Sequence, residues 1–212
     1  MSSIPTAPTP PAIRRAGAED RHWVASLLGE AFMDDPVSSW VFPEEAQRHA
    51  LHPLFFGVFL DAALGEGTVD VTEDGSAAAL WLPVPAVAEA DIPAAIAEDE
   101  EVAALMRKSS DPDNERTEIV GRQTARMHPR HRAHDYLMLI GVDPARQGRG
   151  LGSALMAPVL QRCDSEGTPA YLEASSVRSR ALYEREGFVF TGETVDLPGG
   201  PPMWPMWREP RA

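Results

Sequence analysis

The chain is short of cysteine, of lysine and of positive charge. Of its 212 residues a single one is cysteine, Cys163, which excludes an internal disulfide framework and suits a reducing compartment. Lys108 is the sole lysine. A nucleoside-triphosphate loop, whose Gly-Lys-Ser/Thr places a lysine on the outer phosphates, is therefore absent. Nineteen Lys and Arg face 32 Asp and Glu, a formal charge of −13, so nucleic acid is not expected as a partner. No apolar run approaches the roughly 20 residues that cross a bilayer. The start Met1-Ser2-Ser3-Ile4-Pro5 lacks the basic and apolar regions of a secretion signal. We expect a cytoplasmic protein without membrane contact. His128, His131 and His134 recur every third residue, but Pro129 bars the regular helix that would align them, and no metal site is expected.

The most informative segment present is Gly141-Val142-Asp143-Pro144-Ala145-Arg146-Gln147-Gly148-Arg149-Gly150-Leu151-Gly152. An apolar run, Tyr136 to Val142, ends at a proline turn, passes through a glycine-rich loop and opens into a helical segment, Ser153 to Cys163. Converging backbone N–H groups at such a junction suit an anion, and Arg146 and Arg149 add charge beside it. The spacing Gly148-x-Gly150-x-Gly152 departs from the Gly-x-Gly-x-x-Gly of dinucleotide folds. A second segment, Ser179 to Phe188, reads as a short helix stopped by Gly187. Between the two lies a strand, Ala170 to Ser175.

The rest predicts one α/β domain. Residues 1–11, with four prolines, read as a disordered tail. A first strand spans Ile13 to Ala16, and Trp23, Val24, Leu27, Leu28, Ala31 and Phe32 form a helical stripe ended by Asp34-Asp35-Pro36. Leu51 to Ala62 carries a second stripe. Thr68 to Thr72 and Ala77 to Val84 flank Asp74-Gly75 as a hairpin. Residues 89–118 hold ten acidic and three basic residues, and the acidic helical insert extends to about 127. Pro158 predicts a kink in the helix after the loop, costing roughly 3 kcal/mol in a straight helix. Gly141, inside a strand, predicts a bulge or a close backbone approach.

Gln147-x-x-Gly150-x-Gly152 after the Val-Asp-Pro turn, followed by Tyr183-x-x-x-Gly187-Phe188, resembles the two signatures of the GNAT N-acetyltransferase superfamily. Tyr136 to Arg208 is most similar to the puromycin N-acetyltransferase branch, through Tyr171-Leu172-Glu173-Ala174-Ser175, the Tyr183 helix and a Trp/Met-bearing last strand. Ala31-Phe32 with Asp34-Asp35-Pro36, and Ala79-Leu80-Trp81, agree more loosely. Ser179 replaces a usual asparagine, Asp135 a common aromatic residue and Asp35 a bulkier one.

The resemblance implies the GNAT fold, an α/β (α+β) architecture. Its central sheet is mixed and mostly antiparallel, of six to seven strands, splayed at the cofactor slot and covered by helices on both faces. The cofactor half spans about 134–192 of a domain running 12–212. Acetyl-CoA is the implied cofactor, held by Ile140, Gly141, Val142, Arg146, Gln147, Gly148, Arg149, Gly150, Leu151, Gly152, Ser153, Ser179 and Tyr183. Tyr183 is the implied acid for the leaving thiolate, a phenol with a pKa near ~10 being protonated at neutral pH. Glu173 is the candidate base, or else a buried acceptor that organises neighbouring strands; His134 and Asp35 are weaker candidates. Phe32, Asp35, His134, Tyr136 and Glu173 are the expected acceptor contacts. The acceptor expected is a small-molecule amine, such as an antibiotic or aminonucleoside, attacking directly in a ternary complex of a monomer or homodimer. A protein or peptide N-acetyltransferase and a non-catalytic acyl-CoA-binding module are the alternatives.

Overall fold

The computed structural model describes residues 12–211, so the proline-rich tail expected at 1–11 lies outside the described residues. Strand β1 (Ile13–Arg15) leads into helix α1 (Arg21–Ala31), whose Val24, Ala25 and Leu28 are buried. The Asp34-Asp35-Pro36 stop is also a start. Asp35 caps a short helix that the sequence did not reveal, α2 (Pro36–Val41), its Oδ1 accepting from the Val37 and Ser38 N–H groups at 3.0 Å each. Pro36 is tolerated at N1, where its missing donor has no intrahelical partner to lose. Helix α3 (Glu45–Glu66) follows and packs on α1. The expected hairpin forms as β2 (Thr68–Thr72) and β3 (Ala77–Val84), with Gly75 at φ +70° in its turn.

The acidic stretch folds as α4 (Ile92–Ser110) and α5 (Glu115–Met127), separated at Asp111-Pro112-Asp113. Then come β4 (His134–Val142), α6 (Leu151–Glu166), β5 (Ala170–Ala174), α7 (Val177–Arg185), β6 (Val189–Phe190) and β7 (Trp204–Arg208). Helix α6 is continuous through Pro158, which stands exposed on the outer face while Leu155, Met156, Val159 and Leu160 are buried. The carbonyl left without its helical donor is that of Ala154, on the turn before.

The seven strands form one sheet in the order β1-β2-β3-β4-β5-β7-β6. Every pair is antiparallel except β4 with β5. One core lies between the sheet and α6, built on Ala79, Trp81, Leu155, Leu172 and Met206; a second lies between the sheet and α1 and α3. The irregularity expected at Gly141 falls three residues earlier. Leu80 faces Leu139 and Trp81 faces Leu137, leaving Met138 as the extra residue. Met138 and Leu139 consequently both pack toward α1 and α3. Gly141 serves the other purpose expected of it, a close approach: a Cβ there would meet Leu28 Cδ2 at 2.9 Å and Ala31 Cβ at 3.0 Å.

The parallel pair has only two partnered positions, Asp135 with Ala170 and Tyr136 with Tyr171. Beyond Tyr136 the two strands diverge, and residues 137–142 keep β3 on one side with no strand among the described residues on the other. This is the splay implied by the resemblance, and it opens a slot in the middle of the sheet. No helix among the described residues is long and apolar enough to cross a membrane.

Candidate active site

Beside the slot is a cavity of about 430 Å³, within the usual range for small-molecule sites. Its floor comes from β4 and β5, through Tyr136, Met138, Ile140 and Glu173. One wall comes from α1, α2 and α3, and the roof from α4 and α5, through Val102, Met106, Val120 and Thr124. Phe32, Phe42, Phe55, Phe56 and Phe59 make much of the wall, and Phe55 stacks edge-on against Phe42, Phe56 and Phe59. The acidic helices are therefore more than a solvated surface. Their inner faces complete the chamber, and Asp99 of α4 bonds Arg130, tying the roof to the segment that enters β4.

Of the expected acceptor contacts, Phe32, Asp35, Tyr136 and Glu173 line the cavity, together with Tyr183 and Ile140. His134 does not. It lies buried behind His128, its ring packed against Tyr171 and Trp207. Strand alternation explains its side of the sheet, since His134, Tyr136 and Met138 follow the two-residue period. The last turn of α5 and the two residues after it then interpose His128. His128 is a lining residue that sequence reasoning assigned no role beyond the discarded metal triplet. Its spacing from His134 misled because the contact is made across a chain reversal and not along a helix. Ser175, which donates to Asp35 Oδ2, was likewise missed.

The Glu173 side chain is 3% exposed. Burial drives its pKa up to about 7, only partly offset by the Tyr136 hydroxyl, which donates to Oε2 at 2.8 Å, and by the neighbouring Tyr171 hydroxyl. Its other oxygen, Oε1, is buried without a hydrogen-bond partner. A carboxylate balanced near neutrality with a free lone pair has the properties of a general base. Tyr183 is buried, and burial with the nearby Asp35 carboxylate pushes its phenol above the ordinary value, so it keeps its proton. Asp35 is itself raised by burial, against the opposing bonds from Ser175, Ser38 and Val37. One cavity is thus lined both by a carboxyl that titrates near neutrality and by a phenol that keeps its proton.

The glycine loop adjoins the outer end of β4. Gly148 at φ +76° and Gly150 at φ +81° occupy the left-handed region, with open space where a Cβ would stand. Gly150 is the N-cap of α6, so the N–H groups of Leu151, Gly152 and Ser153 have no intrahelical partner. A Cβ on Gly152 would approach Leu182 Cδ2 at 3.0 Å, so this glycine seats α6 against α7. Arg146 and Arg149 are exposed. Arg146 lies 3.9 Å from Asp74, and Arg149 makes no ion pair among the described residues. The Gln147 amide donates to the Val142 carbonyl at 3.3 Å. Ser179 has a structural task, closing a capping box with Ser176 at the start of α7. Asp135 faces away from the cavity, accepting from Arg162 at 2.8 Å and from the Cys163 thiol at 3.3 Å. Buried there, Cys163 is pushed up to about 12 and is a thiol, not a thiolate.

A split parallel pair, a glycine loop at a helix N-terminus and a chamber lined by a buried carboxyl and a buried phenol are the features to set against known proteins. Residues 79–188 match the model of the Acetyltransferase (GNAT) family. The chain is also 30% identical over 190 residues to an uncharacterised N-acetyltransferase of Schizosaccharomyces pombe, covering 84% of this chain and 74% of that one. The chain belongs to the GNAT acetyltransferase family, and it is an acyltransferase. A solved Corynebacterium glutamicum structure, described as histone acetyltransferase HPA2 and related acetyltransferase, is 26% identical with TM-score 0.64, covering 96% of this chain and 98% of that one. Arylalkylamine N-acetyltransferase 2 of Aedes aegypti shares the fold at 15% identity, with TM-score 0.67 over 94% of this chain and 99% of that one.

Proposed function

We propose that the chain moves an acetyl group from acetyl-CoA to the primary amine of a small acceptor with a largely apolar body, by direct attack in a ternary complex. The observation that carries this reading is Glu173 and Tyr183 on one phenylalanine-walled cavity at the slot between β4 and β5. Acetyl-CoA would be held by the unpaired edge of β4 at Ile140, Gly141 and Val142, by the loop from Gln147 to Ser153, and by the Arg146 and Arg149 charges. The residues fit it: the loop is open to close approach, and the edge offers main-chain donors and acceptors that no strand uses. When bound, it supplies the acyl thioester. Glu173 takes the proton released by the attacking amine. Tyr183 holds a proton for the departing thiolate. The phenylalanines bind the acceptor body and exclude water, which would otherwise compete as nucleophile.

The similarity of residues 136–208 to the puromycin N-acetyltransferase branch favours an aminonucleoside acceptor, an amine on an apolar body. An arylalkylamine has the same chemistry. A peptide acceptor would need an open groove, whereas α4 and α5 roof this chamber. The test is thiol release from acetyl-CoA with a panel of amines, puromycin first, then arylalkylamines, polyamines and peptides. Apolar monoamines are expected to be preferred; preference for peptides or polyamines would overturn the acceptor assignment, and no release with any amine would overturn the transfer.

A further inference from the structure

His128 and His134 form a buried pair whose hydrogen bonds, with both rings neutral, fix both tautomers. His134 Nδ1 lies 2.8 Å from the Arg132 carbonyl, which can only accept, so Nδ1 carries the hydrogen. Burial holds His134 below its ordinary pKa, so the ring is neutral and its Nε2 has a lone pair. His128 Nε2 lies 3.1 Å from that nitrogen and must supply the proton. His128 is likewise neutral, lowered to about 3 by burial, then by His134 and Arg130. Its remaining nitrogen, Nδ1, is thus a lone pair. It faces Glu173 Oε1 at 4.0 Å, the oxygen with no other partner.

A carboxylate normally attracts donors, yet here the nearest nitrogen offers none. Resting on the assignment of Glu173 as the base, we propose that His134 locks His128 in the tautomer whose lone pair faces Glu173, so that the acid form of Glu173, and not its anion, gains a hydrogen bond. Glu173 then takes the amine's proton on Oε1 and donates it toward His128 Nδ1. No proton goes further along the pair; it returns to water when the chamber opens. His128 and His134 are positioning residues, one supplying the acceptor and the other its orientation. The 4.0 Å separation is longer than a hydrogen bond and would shorten on protonation. The other groups facing the trio are Tyr136 and Tyr171 from the sheet, Arg130 and His131 before β4, Asp135 within it, and Asp99 from α4. Of these, Tyr136 donates to Oε2, and the Tyr171 hydroxyl, buried without a hydrogen bond of its own, is the one other neighbouring donor that favours the Glu173 anion. It acts beside the histidine pair and leaves His128 Nδ1 as the nitrogen facing Oε1.

Two readouts test this, and the first needs no activity. Two-bond proton–nitrogen spectra of histidine-labelled protein report each ring's tautomer. At neutral pH, His128 is expected neutral with hydrogen on Nε2, and His134 neutral with hydrogen on Nδ1. An imidazolium at His128, or hydrogen on its Nδ1, overturns the proposal. The second is the acidic limb of the kcat/KM pH profile in His134→Leu and His134→Gln. Leucine frees His128 to turn an N–H toward the carboxylate, and the limb should move acidward by about one unit or more. In His134→Gln the new side-chain carbonyl can still accept from His128, and the limb should stay. A limb unmoved in folded His134→Leu refutes the lock. If no amine is acetylated, the functional assignment fails while the tautomers remain testable.

Discussion

Glu173→Gln should abolish most turnover and yet make the protein more stable, in a way that depends on pH. The folded-state pKa of about 7 stands above the ordinary 4.5 because burial penalises the anion. Between those values the folded protein holds a proton that the unfolded chain has lost. Stability is therefore complete below about pH 4.5 and falls as pH rises through about 7. A difference of about 2.5 units, at about 1.4 kcal/mol each, gives an order of ~3 kcal/mol lost at alkaline pH. Glutamine escapes that loss, since its carbonyl can accept from Tyr136 and its amide can donate toward His128 Nδ1. Urea unfolding at about pH 5 and about pH 8.5 measures it: the variant's advantage should be small at the lower pH and approach ~3 kcal/mol at the higher. An advantage equal at both pH values, or a variant weaker than wild type at the higher, would refute the account of Glu173 as a buried, high-pKa carboxyl.

Tyr136→Phe removes the donor that favours the Glu173 anion, worth about 1.5–3 kcal/mol, so the acidic limb of kcat/KM should move alkaline by about one to two units; an unmoved limb contradicts Glu173 as the ionising group. Tyr183→Phe should lower kcat by about 10² or more while acetyl-CoA affinity, read by calorimetry, stays within about twofold; unchanged kcat would remove Tyr183 as the acid. Gly141→Val should cost about 1–3 kcal/mol in thermal or urea unfolding, because its side chain would collide with Leu28 and Ala31; a neutral effect would mean that α1 can withdraw from β4 freely.

The fold from β4 to β6 was legible because its signals are local. Gly148, Gly150 and Gly187 each occupy positive φ, a backbone requirement visible in the residue itself. Tyr183 follows from its fixed distance to Gly187, and the diverging strands follow from the fold that those motifs imply. The acceptor side depends on contacts between distant segments, which leave no periodic trace. Asp35 read as a helix stop because its role as the cap of α2 is visible only once Val37 and Ser38 turn back toward it. His128 meets Glu173 from a distant part of the sequence, and Asp99 reaches Arg130 from the acidic insert. Met138 takes the bulge that a glycine rule assigned to Gly141, because the extra residue is set by pairing with Leu80 and Trp81 and not by local conformational freedom.

The central claim, acetyl transfer to an amine inside the phenylalanine-walled chamber, is tested most directly by a single turnover. The enzyme, loaded with acetyl-CoA labelled in its acetyl group, is mixed with a preferred amine at about pH 8, and the product is identified by mass spectrometry. The account predicts labelled N-acetylamine formed in step with free thiol, abolished in Glu173→Gln and with the label never residing on the protein. Thiol released at the same rate without amine, or label found on the chain, would contradict it.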